Sequence, residues 1–136
     1  MTKSVFSTVL ATFMLLFVSC NSNGQNPKTE TSKTAVSTIQ VLQFHSEHRC
    51  VTCNLIEKLT RETLKKYPAI SFSLVNVDDN KNEKMAAQFE ATGTALFLYN
   101  PKTGKKKDLT DFAFMNAKSN PEEFKKGIEK EINAFK

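Results

Sequence analysis

Between residues 39 and 99, three short apolar segments alternate with two segments of helical periodicity. The segments with the length and composition of strands are residues 39–44, 70–77 and 95–99. The segments with helical periodicity are residues 53–66 and 81–91. Strands that are joined through helices pair in parallel or through crossover connections. The pattern therefore predicts one sheet with helices packed against it.

The remainder of the chain predicts a hairpin and a last helix. Residues 100–104 are typical of a tight turn, and the polar segment 105–110 suits a strand at a sheet edge. Ser119 or Asn120 caps the last helix, with Pro121 at its first position. The predicted order is β-α-β-α-β-β-α, an α/β fold in which a mixed sheet of about four strands is flanked by helices.

Composition agrees with one small globular domain and argues against a nucleic-acid partner. Of the 136 residues, 40% are hydrophobic and 24% charged, which is enough apolar material for a core. The formal net charge is +5, and residues 38–136 carry 16 basic and 13 acidic residues, a net charge of +3. Only residues 105–107 cluster lysines, and the chain has no tryptophan and no arginine cluster. We expect no nucleic acid among its partners.

Residues 1–20 predict an export signal. Lys3 precedes an apolar run over residues 5–18 that is short for a membrane span. The run ends in Phe-Val-Ser-Cys, which resembles the lipobox of bacterial lipoproteins, where the cysteine receives a diacylglycerol. We predict lipidation of Cys20 and an exported, membrane-anchored protein that faces the periplasm or the exterior. An ordinary signal peptide and an uncleaved anchor are the alternatives.

Residues 21–37 are polar throughout and predict a flexible linker to a domain at 38–136. If Cys20 carries a lipid, Cys50 and Cys53 are the two cysteines that remain. They can bond to each other, bond transiently to another molecule, or bind a metal.

The C-x-x-C pair falls where the first strand ends and the first helix begins. Unpaired N–H groups and the helix dipole favour an anion there, so they favour thiolate over thiol at Cys50. Arg49 adds a fixed positive charge, and His48 adds one when it is protonated. We predict that Cys50 attacks a disulfide and that Cys53 resolves the mixed disulfide.

The strand–CxxC–helix unit and the order of elements resemble the thioredoxin superfamily over nearly all of 38–136. Segments 44–57, 75–78 and 93–96 are similar to a bacterial group often labelled as ArsF-type nitroreductase subunits. The resemblance implies that Cys50 and Cys53 are a redox pair. It also places Thr94 opposite the cysteines, where this superfamily commonly has a cis-proline.

The superfamily often has a buried acid on the first strand, and Gln43 lies near that place here. Glu57, one helical turn after Cys53, is the other candidate for the acid, and a surface salt bridge is its alternative role. Asp78 and Asp79 fit helix capping better than cation binding.

These observations predict a thiol–disulfide oxidoreductase at the cell envelope that requires no dissociable cofactor. Its partners are a protein substrate that carries a disulfide or dithiol, a recycling redox partner and a membrane. One alternative is a structural disulfide or two buried thiols. The other is a non-enzymatic lipoprotein that binds zinc or copper through His45, His48, Cys50 and Cys53.

Three apolar residues nearer the C-terminus are candidates for either a structural or a partner-binding role. Phe112, Phe114 and Met115 predict core positions or an edge strand, and a partner-binding patch beside the cysteines is the alternative.

Overall fold

A four-stranded mixed sheet lies at the centre of residues 37–136, the part of the chain that the computed structural model describes. The strands are β1 (Gln40–His45), β2 (Ser71–Asn76), β3 (Ala95–Tyr99) and β4 (Lys106–Asp108). Their order across the sheet is β2-β1-β3-β4. The two central strands, β1 and β3, therefore carry most of the buried sheet surface.

Within residues 37–136, four helices and one 3₁₀ turn accompany the sheet. The helices are α1 (Val51–Leu64), α2 (Glu83–Phe89), α3 (Thr110–Ala117) and α4 (Pro121–Phe135), and the 3₁₀ turn is Asn80–Asn82. Within this part of the chain, no helix has the length and hydrophobicity to cross a membrane. The predicted export signal, the lipidation of Cys20 and nearly all of the predicted linker lie outside the described residues.

The connections explain the pairing of the strands. β1 runs parallel to β2 with α1 as the crossover, and β3 returns antiparallel to β1. β4 pairs with β3 as an antiparallel hairpin. This is the predicted thioredoxin-like α/β fold. Because Phe44 lies opposite Ala95, the end of β1 that leads into α1 is next to the start of β3.

The sheet has a large core on one face and a smaller one on the other. On the first face, Val41, Leu96 and Leu98 pack with buried residues of α1, α3 and α4. On the second face, Leu42, Phe44, Val75 and Phe97 pack with Phe89 of α2. The alternation of apolar residues along β1 and β3 thus becomes two cores, which fix α1 on one face and α2 on the other.

The predicted order of elements is wrong in one place, because α3 is an additional helix. β4 ends at Asp108, whose carboxylate accepts a hydrogen bond from the N–H of Thr110 at 2.8 Å. Leu109, Ala113 and Ala117 are buried at a spacing of four residues. Ala113 and Ala117 give only a weak helical signal, because larger apolar side chains lie between them in the sequence. The sequence pattern of this segment therefore favoured a strand.

The three apolar residues of α3 have different surroundings. Phe112 stacks on Phe124 with ring centroids 6.1 Å apart, so it is the core position among the three. Phe114 and Met115 are 39% and 73% exposed. The prediction of an edge strand is wrong for all three residues.

The end of α2 also differs from the prediction. The helix ends at Phe89, four residues before Gly93, and Glu90 takes a left-handed conformation with φ of 54°. Ala91 N–H donates to Ala86 O at 2.9 Å, which satisfies a carbonyl at the end of the helix. Gly93 therefore does not end α2 and lies in the loop that leads to β3.

Candidate redox site at the start of α1

Cys50 is the N-cap residue of α1. Its backbone is extended, with φ of −74° and ψ of 161°, and its Sγ accepts a hydrogen bond from Cys53 N–H at 3.0 Å. An N-cap side chain satisfies one of the helix N–H groups that have no partner within the helix. Here a sulfur atom occupies the place that a serine or aspartate oxygen usually takes. A thiolate at this position receives the same N–H and the positive end of the helix dipole.

Cys50 and Cys53 form a disulfide with an S–S distance of 2.05 Å and a Cα–Cα distance of 5.1 Å. Cys50 is exposed, whereas Cys53 is buried, with 4% of its surface accessible. The alternative of two buried thiols is therefore wrong. An incoming sulfur has access to Cys50 from solvent, and Cys53 lies behind it.

No acidic residue lies in the first turn of α1. A carboxylate there would weaken the attraction of the helix terminus for a second anion. The side chain of Val51, next to Cys50, is 81% exposed. The first turn of α1 thus presents an apolar side chain next to Cys50 and carries no negative charge.

Arg49 lies directly before Cys50, but its guanidinium pairs with Glu57. Arg49 Nη1 is 2.6 Å from Glu57 Oε2, and Arg61 Nε is 2.8 Å from Glu57 Oε1. Burial acts to raise the pKa of Glu57, yet the hydrogen bonds and charges of both arginines outweigh it and lower that pKa below its ordinary value. Arg49 therefore brings a positive charge to the site together with a paired negative one.

The two histidines occupy different places in the loop between β1 and α1. His48 is exposed, and His45 ends β1 with its Nδ1 3.0 Å from Ser46 O. Across residues 37–136, the structure brings no three histidine, cysteine, aspartate or glutamate side chains into a metal-binding group. The set of ligands considered for zinc or copper is not assembled in this disulfide-bonded state.

Thr94 faces the buried sulfur. Its hydroxyl lies 3.1 Å from Cys53 Sγ, in the geometry of an O–H donor to sulfur. This contact follows from the pairing of β1 with β3, since Thr94 directly precedes the residue opposite Phe44. The structure thus brings together Cys50, Cys53 and Thr94.

Gln43 supports the same helix turn from below. Its side chain is fully buried, and Nε2 donates to Cys53 O at 2.9 Å. Its Oε1 is buried without a hydrogen-bond partner among residues 37–136. Sequence reasoning placed Gln43 near the cysteines but missed this bond. The signal was a polar residue at an inward-facing position of an otherwise apolar strand.

Two further features frame the site. Asp78, after β2, accepts a hydrogen bond from Glu47 N–H at 2.8 Å and so ties down the loop before Cys50. Asp79 caps the 3₁₀ turn through Lys81 N–H at 3.1 Å, which agrees with the predicted capping role. On the other side of Thr94, a groove of about 590 Å³ runs between residues 89–95 and β4.

No protein-family model and no curated protein matches this sequence. Among solved structures, the oxidised thioredoxin O2 of Arabidopsis thaliana aligns at 23% identity and a TM-score of 0.42, over 51% of this chain and 58% of that chain. A thioredoxin of Fasciola hepatica aligns at 27% identity and a TM-score of 0.42, over 52% of this chain and 64% of that one.

A structure described as a malarial protein aligns at 25% identity and a TM-score of 0.42, over 58% of this chain and 94% of that chain. The matched region spans less than two thirds of the length of either thioredoxin. The strand order and connections of this chain, and not these likenesses, are therefore the evidence for its thioredoxin-like fold.

Proposed function

We propose that this protein is a thiol–disulfide oxidoreductase that exchanges disulfides through Cys50 and Cys53. The observation that carries the proposal is the placement of Cys50, an exposed residue, at the N-cap of α1, with its Sγ bonded to the buried Cys53. Free cysteine titrates near about 8.5, and cysteines at helix starts titrate at about 3.5–7.5. A thiolate at Cys50 is then the dominant nucleophile near neutral pH.

The reaction balances as two thiol–disulfide exchanges. The Cys50 thiolate attacks one sulfur of a substrate disulfide, forms a mixed disulfide and expels the other substrate sulfur as a thiolate. Cys53 then loses its proton to solvent and attacks Cys50 Sγ, which breaks the mixed disulfide and releases the second substrate thiolate. Two electrons pass from the cysteine pair to the substrate, and a dithiol partner returns the pair to its reduced form.

The surface beside Cys50 offers contacts for a protein substrate. Val51 presents an exposed apolar side chain, and the groove beside Thr94 is open to solvent. Its rim carries Lys106 and Asp108, charges of both signs. A polypeptide segment that flanks a disulfide or dithiol fits such a surface. The narrower resemblance to ArsF-type subunits adds no substrate to this proposal.

The test is turnover of a disulfide substrate. The full chain, with dithiothreitol as the electron donor, should reduce the interchain disulfides of insulin faster than dithiothreitol alone. Cys50→Ser should reduce this acceleration to background, and the matched control Cys20→Ser should leave it intact. Acceleration that survives in Cys50→Ser contradicts the proposal. Zinc or copper bound stoichiometrically by the reduced protein, without turnover, favours the metal-binding alternative instead.

We also propose that the protein is exported and anchored through lipid on Cys20. The support is the sequence of residues 1–20, which ends in a lipobox-like tetrapeptide, and the polar linker that follows. Expression with a labelled fatty acid should mark the membrane fraction of the wild type. Cys20→Ser should lose the label, and Cys50→Ser should keep it. Label that persists in Cys20→Ser contradicts the anchor.

A further inference from the structure

We propose that Glu57 restrains the redox pair by neutralising Arg49, so that the carboxylate sets how strongly the site favours thiolate. The proposal deepens the proposed function and rests on it. Glu57 is a positioning residue here, since it acts on the cysteines through the charge beside them.

The geometry places Glu57 between two arginines, one of which directly precedes Cys50 in the chain. Arg49 Nη1 and Arg61 Nε contact the two carboxylate oxygens at 2.6 and 2.8 Å. Glu57 lies four residues after Cys53 on α1, so the two side chains are neighbours on one helix face. Arg49 is bonded directly to Cys50. The carboxylate is therefore paired with the charged residue that precedes Cys50, and it lies one helical turn after Cys53.

The partners are shielded from water, which strengthens their effect. The Arg49 and Glu57 side chains are 21% and 19% exposed. Ionic interactions in such partly buried places are screened less than those at the open surface. The three side chains carry a net charge of +1. Neutral glutamine at position 57 would raise that charge to +2 beside the sulfurs.

Arg49 retains donors that Glu57 does not use. Its Nε and Nη2 are buried without a hydrogen-bond partner among the described residues. With the carboxylate gone, the guanidinium charge on the residue before Cys50 is no longer compensated by its partner. Thiolate at Cys50 is then favoured more strongly, and the reduced form of the pair is favoured over the disulfide.

A structural role is the competing explanation, because the Arg49–Glu57 pair also joins the loop before Cys50 to the second turn of α1. The two roles predict different readouts. Loss of a purely structural pair lowers stability but does not push the titration of Cys50 in a fixed direction. Loss of a restraining charge lowers the pH at which Cys50 becomes reactive.

The experiment compares Glu57→Gln with a control at a distant pair. Glu129 pairs with Lys66 just beyond the far end of α1 and is 27% exposed, so Glu129→Gln removes a similarly placed carboxylate. Lys66 follows Cys50 by 16 residues, about 24 Å along a helix. That distance is well beyond a Debye length at physiological salt.

The measurement is the pH dependence of iodoacetamide alkylation at Cys50 in the reduced full-length chain, with the site located by fragment-ion mass spectrometry. Glu57→Gln should lower the midpoint by about half to one pH unit, and Glu129→Gln should leave it unchanged. Equilibrium with glutathione should shift toward the reduced protein by about threefold to tenfold. A tenfold shift corresponds to about 30 mV.

The variant Arg49→Gln is a second test, in which the alkylation midpoint of Cys50 should shift in the opposite direction. It should raise the midpoint, and the double variant Arg49→Gln/Glu57→Gln should return toward wild type. An unchanged or higher midpoint in Glu57→Gln, or an equal shift in Glu129→Gln, overturns the proposal. If wild-type protein does not exchange with glutathione disulfide at all, the proposed function fails instead. Normal exchange with no Glu57 effect refutes the restraint alone.

Discussion

The two sulfurs of one disulfide lie in opposite surroundings. Cys50 borders solvent beside the exposed Val51, whereas Cys53 is 4% exposed and contacts Thr94 and the buried Gln43. Only two residues, Val51 and Thr52, lie between the two cysteines, and the first turn of α1 crosses from surface to core between them. The contrast teaches that the motif supplies the pair, while the fold decides which cysteine is exposed and which is buried.

The exposed half of the site consists of Cys50, Val51 and His48. The buried half consists of Cys53, Thr94 and Gln43. Substitutions in the exposed half should change chemistry with little change in stability. Substitutions in the buried half should change both, because these side chains also hold α1 against the sheet.

The largest expected effect is the loss of the resolving cysteine. Cys53→Ala should accumulate a mixed disulfide between Cys50 and a substrate, because attack proceeds and release does not. Non-reducing electrophoresis of the full chain incubated with a disulfide-bearing protein measures this product. The matched variant Cys50→Ala should accumulate little of it, and a mixed disulfide formed mainly through Cys53 would reverse the assignment of the two halves.

Substitutions of Gln43 test how much packing in the buried half of the site contributes to the free energy of unfolding. Gln43→Ala removes a hydrogen bond and opens a cavity in the core, so the free energy of unfolding should fall by about 2–4 kcal/mol. Gln43→Met fills the same space and removes the unpartnered Oε1, so it should stay within about 1 kcal/mol of wild type. Urea unfolding of the oxidised protein measures both, and equal losses in the two variants contradict the packing explanation.

Substitutions of Thr94 test the hydrogen bond that its hydroxyl donates to the buried sulfur of Cys53. Thr94→Val keeps the shape but removes the O–H donor, which should weaken thiolate formation at Cys53. The release of substrate from the mixed disulfide should slow by about fivefold, as loss of a hydrogen bond worth about 1 kcal/mol implies. Stopped-flow kinetics measure this step. The control variant Thr94→Ser keeps the O–H donor and should retain the wild-type rate.

The Arg49–Glu57 pair lies at the boundary between the two halves of the site. It should make the free energy of unfolding depend on pH. Because the folded pKa of Glu57 is lowered, its stabilisation is present above its unfolded pKa, about 4.3, and is lost as pH falls through the folded pKa. Urea midpoints of wild type and Glu57→Gln should therefore converge between pH 7 and pH 3. A gap that stays constant with pH would show that the charge does not stabilise the fold.

The smallest effect belongs to His48, in the exposed half. His48→Ala should change the free energy of unfolding by less than about 0.5 kcal/mol, as is usual for surface substitutions. The rate at which Cys50 of this variant is alkylated should change only slightly, because the exposed His48 is not among the residues that contact the sulfurs. A large loss of stability would mean that His48 belongs with the buried half.

The elements with strong local signals were predictable. α1 shows its buried stripe in Ile56 and Leu59, and β3 is a continuous apolar run over exactly the observed residues, 95–99. Thr94 was predicted as a facing residue from the resemblance to the thioredoxin superfamily, and the pairing of β1 with β3 explains its position. The predictions of α1 and β3 needed only the local pattern of each segment.

Other features depend on contacts that no local pattern contains. Arg49 reaches Glu57, eight residues later, only because the loop before Cys50 folds back along α1. The buried residues of α3 are alanines, and its larger apolar residues Phe114 and Met115 are exposed, so apolar side chains alone did not indicate its buried face. The hydrogen bond from Gln43 to Cys53 O requires that α1 pack directly over β1. Tertiary packing decides all three.

The order of reactivity of the two thiols in the reduced protein tests the central claim most directly. Brief treatment of the reduced full chain with iodoacetamide at pH 7, followed by mass spectrometry, gives the rate at each cysteine. We predict that Cys50 reacts at least about tenfold faster than Cys53, with a midpoint below about 8.5. Equal rates, faster reaction at Cys53, or a Cys50 midpoint at or above that of free cysteine would contradict it.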